Sequence, residues 1–354
     1  SIAMKRRVFT LTASTEVREP VAKTPRIMEM LRKFTLLPDE GGLNLSASAL
    51  NAYLQCGLKF YYLHVLRYRD DPEPSDVMDN ITRGLVFHDV MQHLYFEKDS
   101  RVFIPAGKIL TAEDLQRMRD DDELLRRQVR RAVKRKFLDD DDADDTKPLR
   151  QSLQDSADYI VRQVRAVLDH DSKSAPLVLY GAEIKEKCRW KVSDTLEVNM
   201  TASFDRVDEC GGILRVVDYK TGGVHLAFSS LDDLWTGQYE SSNVLQLLLY
   251  ANLLEDRARR EGIDACKYDR GIGMSIFKVL DMESGNGVCQ PVWSPGGYGK
   301  RETIDTHKNE KVDRFREELN SRVLEPLFDS EVPFAPTDDP ERCRRCVLAQ
   351  ICGR

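Results

Sequence analysis

The chain contains no run of twenty apolar residues, so no segment of it has the length and apolarity of a membrane-spanning helix. Gly-x4-Gly-Lys-Ser/Thr is absent, which excludes a P-loop motor and any nucleotide cofactor held by one. Positive charge is not in excess: 53 Lys and Arg face 59 Asp and Glu, and the net charge of −6 argues against a uniformly basic nucleic-acid binder. There is no hydrophobic leader at the start, and the eight cysteines lack the even spacing of a disulfide framework. A reducing compartment is therefore expected. No linker divides the 354 residues, which suit one large α/β unit carrying an insertion.

Residues 214–222, Leu-Arg-Val-Val-Asp-Tyr-Lys-Thr-Gly, form a β-branched apolar run set between Gly211-Gly212 and Gly222-Gly223. That composition predicts an internal strand. Alternation places Asp218 and Lys220 on one side and Tyr219 on the other. A carboxylate beside an ammonium suits a hard cation and a positioned water, and equally suits a structural salt bridge. Residues 198–208 alternate apolar and polar and lead through the glycine pair into that strand, as the first arm of a hairpin. Asp205 is the candidate acid to share a cation with Asp218; Asp208, beside Glu209 and the glycines, reads as a turn residue.

Residues 84–96 have apolar positions at helical spacing with His88 on or beside the apolar face, a packed core histidine or a ligand. In residues 243–252, Gln246 and Tyr250 are one turn apart on a very apolar helix, where they line a cleft or satisfy nearby backbone. Cys343-x2-Cys346-x5-Cys352 leaves one coordination position open, and Cys56 can close it. Ligand type and spacing suit zinc and an iron-sulfur cluster alike. Cys188, Cys210, Cys266 and Cys289 are scattered and read as ordinary core or surface residues.

Residues 1–42, with Pro20, Pro25, Pro38 and Gly41-Gly42, read as an irregular N-terminal arm. A helix capped by Ser46 or Ser48 follows and carries Cys56. Residues 111–170 form a charged helical insertion, in which 139–145 is six aspartates broken by Ala143, a solvated loop. Strands are predicted at 177–192, 195–207, 212–218 and 268–279, with the Gln246 helix between the last two. Arg126, Arg127, Arg130, Arg131, Lys134, Arg135, Lys136, Arg257, Arg259 and Arg260 either contact phosphates or form solvated helix faces. Tyr53, Phe60, Tyr61 and Tyr62 either stack on bases or pack in the core.

The order of Gly84-x3-His88, Phe-Asp-Arg-Val-Asp at 204–208, Asp-Tyr-Lys-Thr-Gly at 218–222 and Gln246-x3-Tyr250 resembles the PD-(D/E)XK nuclease superfamily, in the branch of the RecB and AddB nuclease domains. Ser203 stands where that branch usually has glycine. The resemblance implies a restriction-endonuclease-like core, a central mixed sheet flanked by helices, over residues 43–354. It also implies a glutamate from the first strand, for which Glu183 is favoured over Glu186. The implied activity is metal-dependent hydrolysis of single- or double-stranded DNA, as an exonuclease rather than an endonuclease. One or two Mg²⁺ or Mn²⁺ would be held by His88, Asp205, Asp218 and the main-chain carbonyl of Tyr219. Lys220 would orient water or stabilise charge, and Gln246 and Tyr250 would position the strand. Cys56, Cys343, Cys346 and Cys352 would hold a 4Fe-4S cluster, with Zn²⁺ the alternative, in a tail over 340–354. The chain begins at Ser1 rather than Met and reads as the C-terminal nuclease piece of a bacterial, cytoplasmic helicase-nuclease of DNA repair and recombination, with a helicase-like domain or subunit as partner. The alternative is a DNA-binding or helicase-docking module that keeps the fold and does not cut.

Overall fold

A computed structural model describes residues 19–69, 78–96, 102–138, 149–296 and 300–352. The aspartate run at 139–145 lies outside them. In chain order the first half comprises α1 (Pro25–Arg32), α2 (Ala47–Gln55), α3 (Gly57–Phe60), α4 (Asn80–Tyr95), β1 (Lys108–Leu110), α5 (Ala112–Asp120), α6 (Asp122–Phe137) and α7 (Gln151–Ser174). Then come β2 (Leu177–Lys191), β3 (Glu197–Cys210), β4 (Ile213–Lys220), β5 (Ala227–Phe228), α8 (Asp232–Trp235), α9 (Ser242–Arg260) and β6 (Gly273–Lys278). The remainder is β7 (Val288–Cys289), β8 (Val292–Trp293), β9 (Glu302–Thr303), α10 (Phe315–Leu319), α11 (Glu325–Phe328), α12 (Pro340–Arg344) and α13 (Ala349–Cys352).

Six strands form one mixed sheet in the order β1-β2-β3-β4-β6-β7, and β5-β8-β9 make a small second sheet. β1 to β4 run antiparallel in succession, whereas β6 is parallel to β4 because α9 carries the chain back across the sheet. The hairpin between β3 and β4 closes at Gly211 and Gly212, with φ of 60° and 79°. Two successive positive φ values are what a two-residue turn matched to strand twist requires. The fold is the mixed α/β architecture expected, a sheet with helices on both faces. One face is covered by α1, α2 and α9 through Leu31, Leu50 and Leu248, packed on Val216. The other is covered by α4, α6 and α7 through Phe87, Val133 and Val164, packed on Val217 and Phe277.

Three expectations are corrected here. Residues 19–42 are not an irregular arm, because α1 buries Ile27 and Leu31 and its N-cap Thr24 accepts from Ile27. Phe34 is likewise buried, and Val21 bridges to Phe334. The strand expected at 268–279 is β6 and begins at Gly273, since residues 265–267 make a short 3₁₀ turn first. Asp208 lies inside β3 and is fully buried; the turn falls at the glycine pair beyond Cys210.

The basic stretches are engaged within the molecule. Arg126 pairs with Asp122 and Asp158, Arg130 with Glu123, and Arg135 and Lys136 with Asp89. Arg257 and Arg260 both pair with the buried Glu186, and Arg259 with Glu255. Phe60 is buried in an aromatic cluster with Tyr53 and Phe334, and Tyr61 stacks on Phe334, so these rings serve packing.

Candidate active site

β3 and β4 pair from Cys210↔Ile213 up to Arg206↔Val217, and there the ladder stops. The next position in that register would set Asp205 across from Asp218. Instead Asp205 Oδ2 accepts from the Tyr219 N–H at 2.8 Å, which ties the end of β4 to the interior of β3 beyond their last pair. The neighbouring β2 bends at the same level. Glu183 has φ 51°, a left-handed conformation that a non-glycine residue adopts at a cost. Its neighbours consequently face opposite layers: Ala182 joins the α4/α7 core and Ile184 the α9 core. Arg206 and Phe204 divide in the same way on β3. The break in alternation sets Glu183 across from Asp205, beside the end of β4.

Helix α4 delivers His88 to this break. Asp79 caps the helix by accepting from Thr82 N at 2.7 Å, and Gly84 allows its approach to the end of β4, where an added Cβ would lie 3.3 Å from Thr221 Oγ1. His88 Nδ1 is 3.0 Å from Glu183 Oε1 and 3.5 Å from Asp205 Oδ1, and Nε2 is 3.3 Å from the Tyr219 carbonyl oxygen. Among the described residues, His88, Glu183 and Asp205 are the group whose ligand atoms lie within 4.8 Å of one another.

Asp218 and Lys220 emerge beside this triad on one side of β4, as alternation predicts. Lys220 Nζ is 2.8 Å from Asp218 Oδ2 and donates to Gln246 Oε1 at 3.2 Å, while Gln246 Nε2 donates to Asp218 Oδ1 at 2.9 Å. Asp218 is buried, so the Lys220 ammonium and the Gln246 amide are the partners of its two oxygens. Tyr250, one turn along α9, packs edge-on to Phe204 and its hydroxyl engages the Gln246 side chain. The sequence-predicted residues thus meet at one place. Glu186 does not: it is buried against Arg257 and Arg260, away from this cluster.

The electrostatics follow from three acids in little water. Burial raises the Asp205 carboxyl to about 7, with Asp218 and Glu183 adding to the rise and His88 and Lys220 opposing it. Burial works against a charged His88, but Asp205, Glu183 and Asp218 outweigh it and lift the imidazole to about 9. Without a cation, His88 is therefore an imidazolium neutralising part of the acid cluster. Burial also opposes the Lys220 charge, and Asp218 and Asp205 again prevail and raise it. Lys220 is a held cation rather than a base. The donor set of carboxylates, one carbonyl and one imidazole fits a divalent ion of the Mg²⁺ or Mn²⁺ kind.

Behind the site lies a network that sequence reasoning missed. Arg206 is wholly buried; its Nη1 and Nη2 reach Asp171 of α7 at 2.6 and 3.2 Å, and its Nε is 2.7 Å from Asp208. Nη1 also donates to the Tyr219 hydroxyl at 3.1 Å and the Tyr95 hydroxyl at 3.2 Å, and Tyr95 in turn donates to Asp171. Arg215 completes the set, 2.5 Å from Asp208. The one available signal was the charge inside the apolar strand at 204–208. A partner on a helix 35 residues earlier carries no local mark.

The four cysteines form a separate place. Cys56 ends α2 in extended conformation, and Cys56, Cys343, Cys346 and Cys352 line one pocket together with Leu58, Pro336 and Leu348. The tail is held there by Arg342, which donates to the Gln55 carbonyl at 3.1 Å, and by Gly57, where an added Cβ would lie 2.8 Å from Ala335 N.

No curated protein matches this sequence. A sequence model of the PD-(D/E)XK nuclease superfamily matches residues 44–353, a span that takes in His88, the β2 to β4 strand ends, α9 and all four clustered cysteines, and the chain belongs to that superfamily.

Proposed function

We propose that this chain is a DNA phosphodiesterase whose centre is the junction of β2, β3, β4, α4 and α9. Superfamily members are nucleases that use divalent metals, and the observation that carries the reading here is the convergence of Asp205, Asp218, Lys220, His88 and Glu183 at that junction. Asp205, Asp218, His88 and the Tyr219 carbonyl would hold one or two ions, Mg²⁺ or Mn²⁺, with Glu183 adjoining. A bound ion would neutralise phosphate charge and lower the pKa of a water, which would release its proton to solvent and attack as hydroxide. The protein's own part is positional. Lys220, clamped between Asp218 and Gln246, presents a fixed ammonium to a non-bridging phosphate oxygen or to the attacking water. Gln246 fixes Asp218 as well as Lys220, so one amide sets the spacing of both. Tyr250 backs Gln246.

The four-cysteine pocket is read as the seat of a 4Fe-4S cluster that staples the C-terminal tail to α2. In support, the thiol at the end of α2 and the three of the C-terminal tail line it together. The wider reading is an exonuclease domain of a bacterial, cytoplasmic helicase-nuclease in DNA repair and recombination. No helix of the described residues is long and apolar enough to cross a membrane.

The direct test is cleavage of end-labelled single- and double-stranded DNA with Mg²⁺, Mn²⁺ or EDTA. Lys220→Ala should lose about 100- to 1,000-fold in rate and keep DNA binding and its thermal midpoint. A cluster-loaded wild type that binds DNA and does not cut would favour the docking-module reading. Iron and acid-labile sulfide, measured in anaerobic protein, should fall together in Cys343→Ala. Stoichiometric zinc instead would remove the cluster.

A further inference from the structure

Helix α9 carries more than Gln246 and Tyr250 on its site-facing side. Tyr239, Asn243, Gln246 and Tyr250 are spaced four, three and four residues apart, the spacing of one helical face. The helical run begins at Tyr239: Gln238 is extended, residues 239–241 form a 3₁₀ turn, and Ser241 and Ser242 are already right-handed helical where α9 takes over. Tyr239 is therefore the outermost rung of the stripe whose inner rungs contact Asp218 and Phe204. Exposure changes sharply along it. Tyr250 is 7 % exposed and Asn243 9 %, whereas Tyr239 is 65 % exposed.

The ring is held although it is exposed. The Tyr239 carbonyl accepts from the Ser242 N–H and from Ser242 Oγ at 2.7 Å, and Ser241 N and Oγ both donate to the Gln238 carbonyl. Its edge faces the His225 ring, with centroids 6.3 Å apart and planes at 74°. His225 lies five residues beyond Lys220, and Asn243 Nδ2 approaches its carbonyl at 3.5 Å. Lys220 itself donates to Gln246 Oε1 at 3.2 Å, on the same stripe two rungs inward from Tyr239. Between Lys220 and His225 the chain is Thr221, Gly222, Gly223 and Val224, and at both glycines a Cβ would meet nothing within 4 Å.

We propose that Tyr239, braced by His225, is a stacking platform for an unpaired nucleobase, and that it makes the site select a single DNA strand by seating one base while the adjoining phosphate lies at Lys220. The inference rests on the reading of the junction as a DNA phosphodiester site. Its physical basis is simple. A base inside a duplex has a neighbour on each face, so a protein ring can stack only on a base whose face is free. Stacking on an aromatic side chain tolerates any base, which suits a nuclease that reads no sequence.

The test uses single-stranded oligothymidylate carrying one 2-aminopurine, and a covalently closed circular duplex of mixed sequence, which has no terminal base with a free face. Both are titrated onto the wild-type chain, Tyr239→Ala and Tyr239→Phe in Ca²⁺, followed by cleavage in Mg²⁺. Quenching of 2-aminopurine should be present with wild type and Tyr239→Phe and absent with Tyr239→Ala. Single-strand affinity should weaken on the order of 10- to 100-fold in Tyr239→Ala, the range of one base–aromatic stack, while duplex affinity changes less than about twofold. Tyr239→Phe should match wild type, since only the ring is invoked. An unchanged single-strand affinity in Tyr239→Ala, or an equal loss on both DNAs, overturns the platform. A wild type that quenches and binds but does not cut overturns the phosphodiesterase reading and leaves the platform standing. Thermal midpoints of all three proteins verify folding.

Discussion

Asp205 and Asp208 stand three residues apart on β3, both buried, and their surroundings push them in opposite directions. Asp205 faces Asp218 and Glu183 at the sheet end and is raised to about 7 by burial and by those acids. Burial would raise Asp208 too, but Arg206 and Arg215 outweigh it and hold its carboxyl below the usual range. The difference lies in neutralisation. Behind β4, two arginines meet two aspartates, and two tyrosine hydroxyls satisfy what remains. In front of it, three acids, Glu183, Asp205 and Asp218, share His88 and Lys220. A balanced cluster makes a rigid back wall. An unbalanced one makes a site that gains by taking up a cation.

The comparison is broken most forcefully from the balanced side. Arg206→Ala would leave Asp171 and Asp208 buried with their main counter-charge gone, and should cost about 3–5 kcal/mol in urea unfolding. Adding Asp171→Asn should restore part of that loss, because the interaction is pairwise and non-additive. A loss below about 1 kcal/mol would show that the network does not hold the layers together.

The unbalanced side is tested by cation and pH together. Asp205 has a folded value raised to about 7 from an ordinary 3.8, so its protonated form favours the folded state. That contribution is complete below pH 3.8 and is lost as pH rises through about 7. In EDTA, Asp205→Asn should therefore be more stable than wild type at pH 8, on the order of 1–3 kcal/mol, with the gain vanishing as pH falls toward 4. Asp208 has the opposite sign: its contribution is present above its ordinary range and lost as pH falls, so Asp208→Asn should be destabilised at neutral pH. Mg²⁺ or Mn²⁺ should raise the wild-type thermal midpoint by the equivalent of about 2–3 kcal/mol at a hundredfold excess over Kd. The increment should shrink at pH 6, where protons on Asp205 and His88 compete, and disappear in Asp205→Asn. A cation increment independent of pH would place the ion elsewhere.

These two clusters were unequally legible in the amino-acid sequence. Period-two alternation placed Asp218 and Lys220 together and Tyr219 behind, and the structure has them so. Helical spacing aligned Gln246 with Tyr250, and the glycine pair marked the hairpin. Asp208 was misread because Glu209 and the nearby glycines resemble turn chemistry, although the positive φ values needed for the turn belong to Gly211 and Gly212 alone. The left-handed Glu183 left no sign, since no glycine or asparagine stands there to announce it. Arg257 and Arg260 look like a phosphate-binding row, and only the tertiary fold reveals Glu186 buried between them. Local pattern reports which side a residue faces; it cannot report what another element brings to that side.

Tyr219 belongs to both clusters and gives the finest test. Its carbonyl faces His88 in the site, while its hydroxyl accepts from Arg206 in the network. Tyr219→Phe deletes only the second contact and should cost about 1 kcal/mol of stability, the worth of one buried hydrogen bond. If the back wall is rigid without that hydroxyl, the cleavage rate should stay within about twofold of wild type, because neither the carbonyl nor Asp218 and Lys220 need move. A larger fall in rate at unchanged DNA affinity would mean that the Arg206 network sets the position of the β4 end, and that the two faces of the strand act as one device.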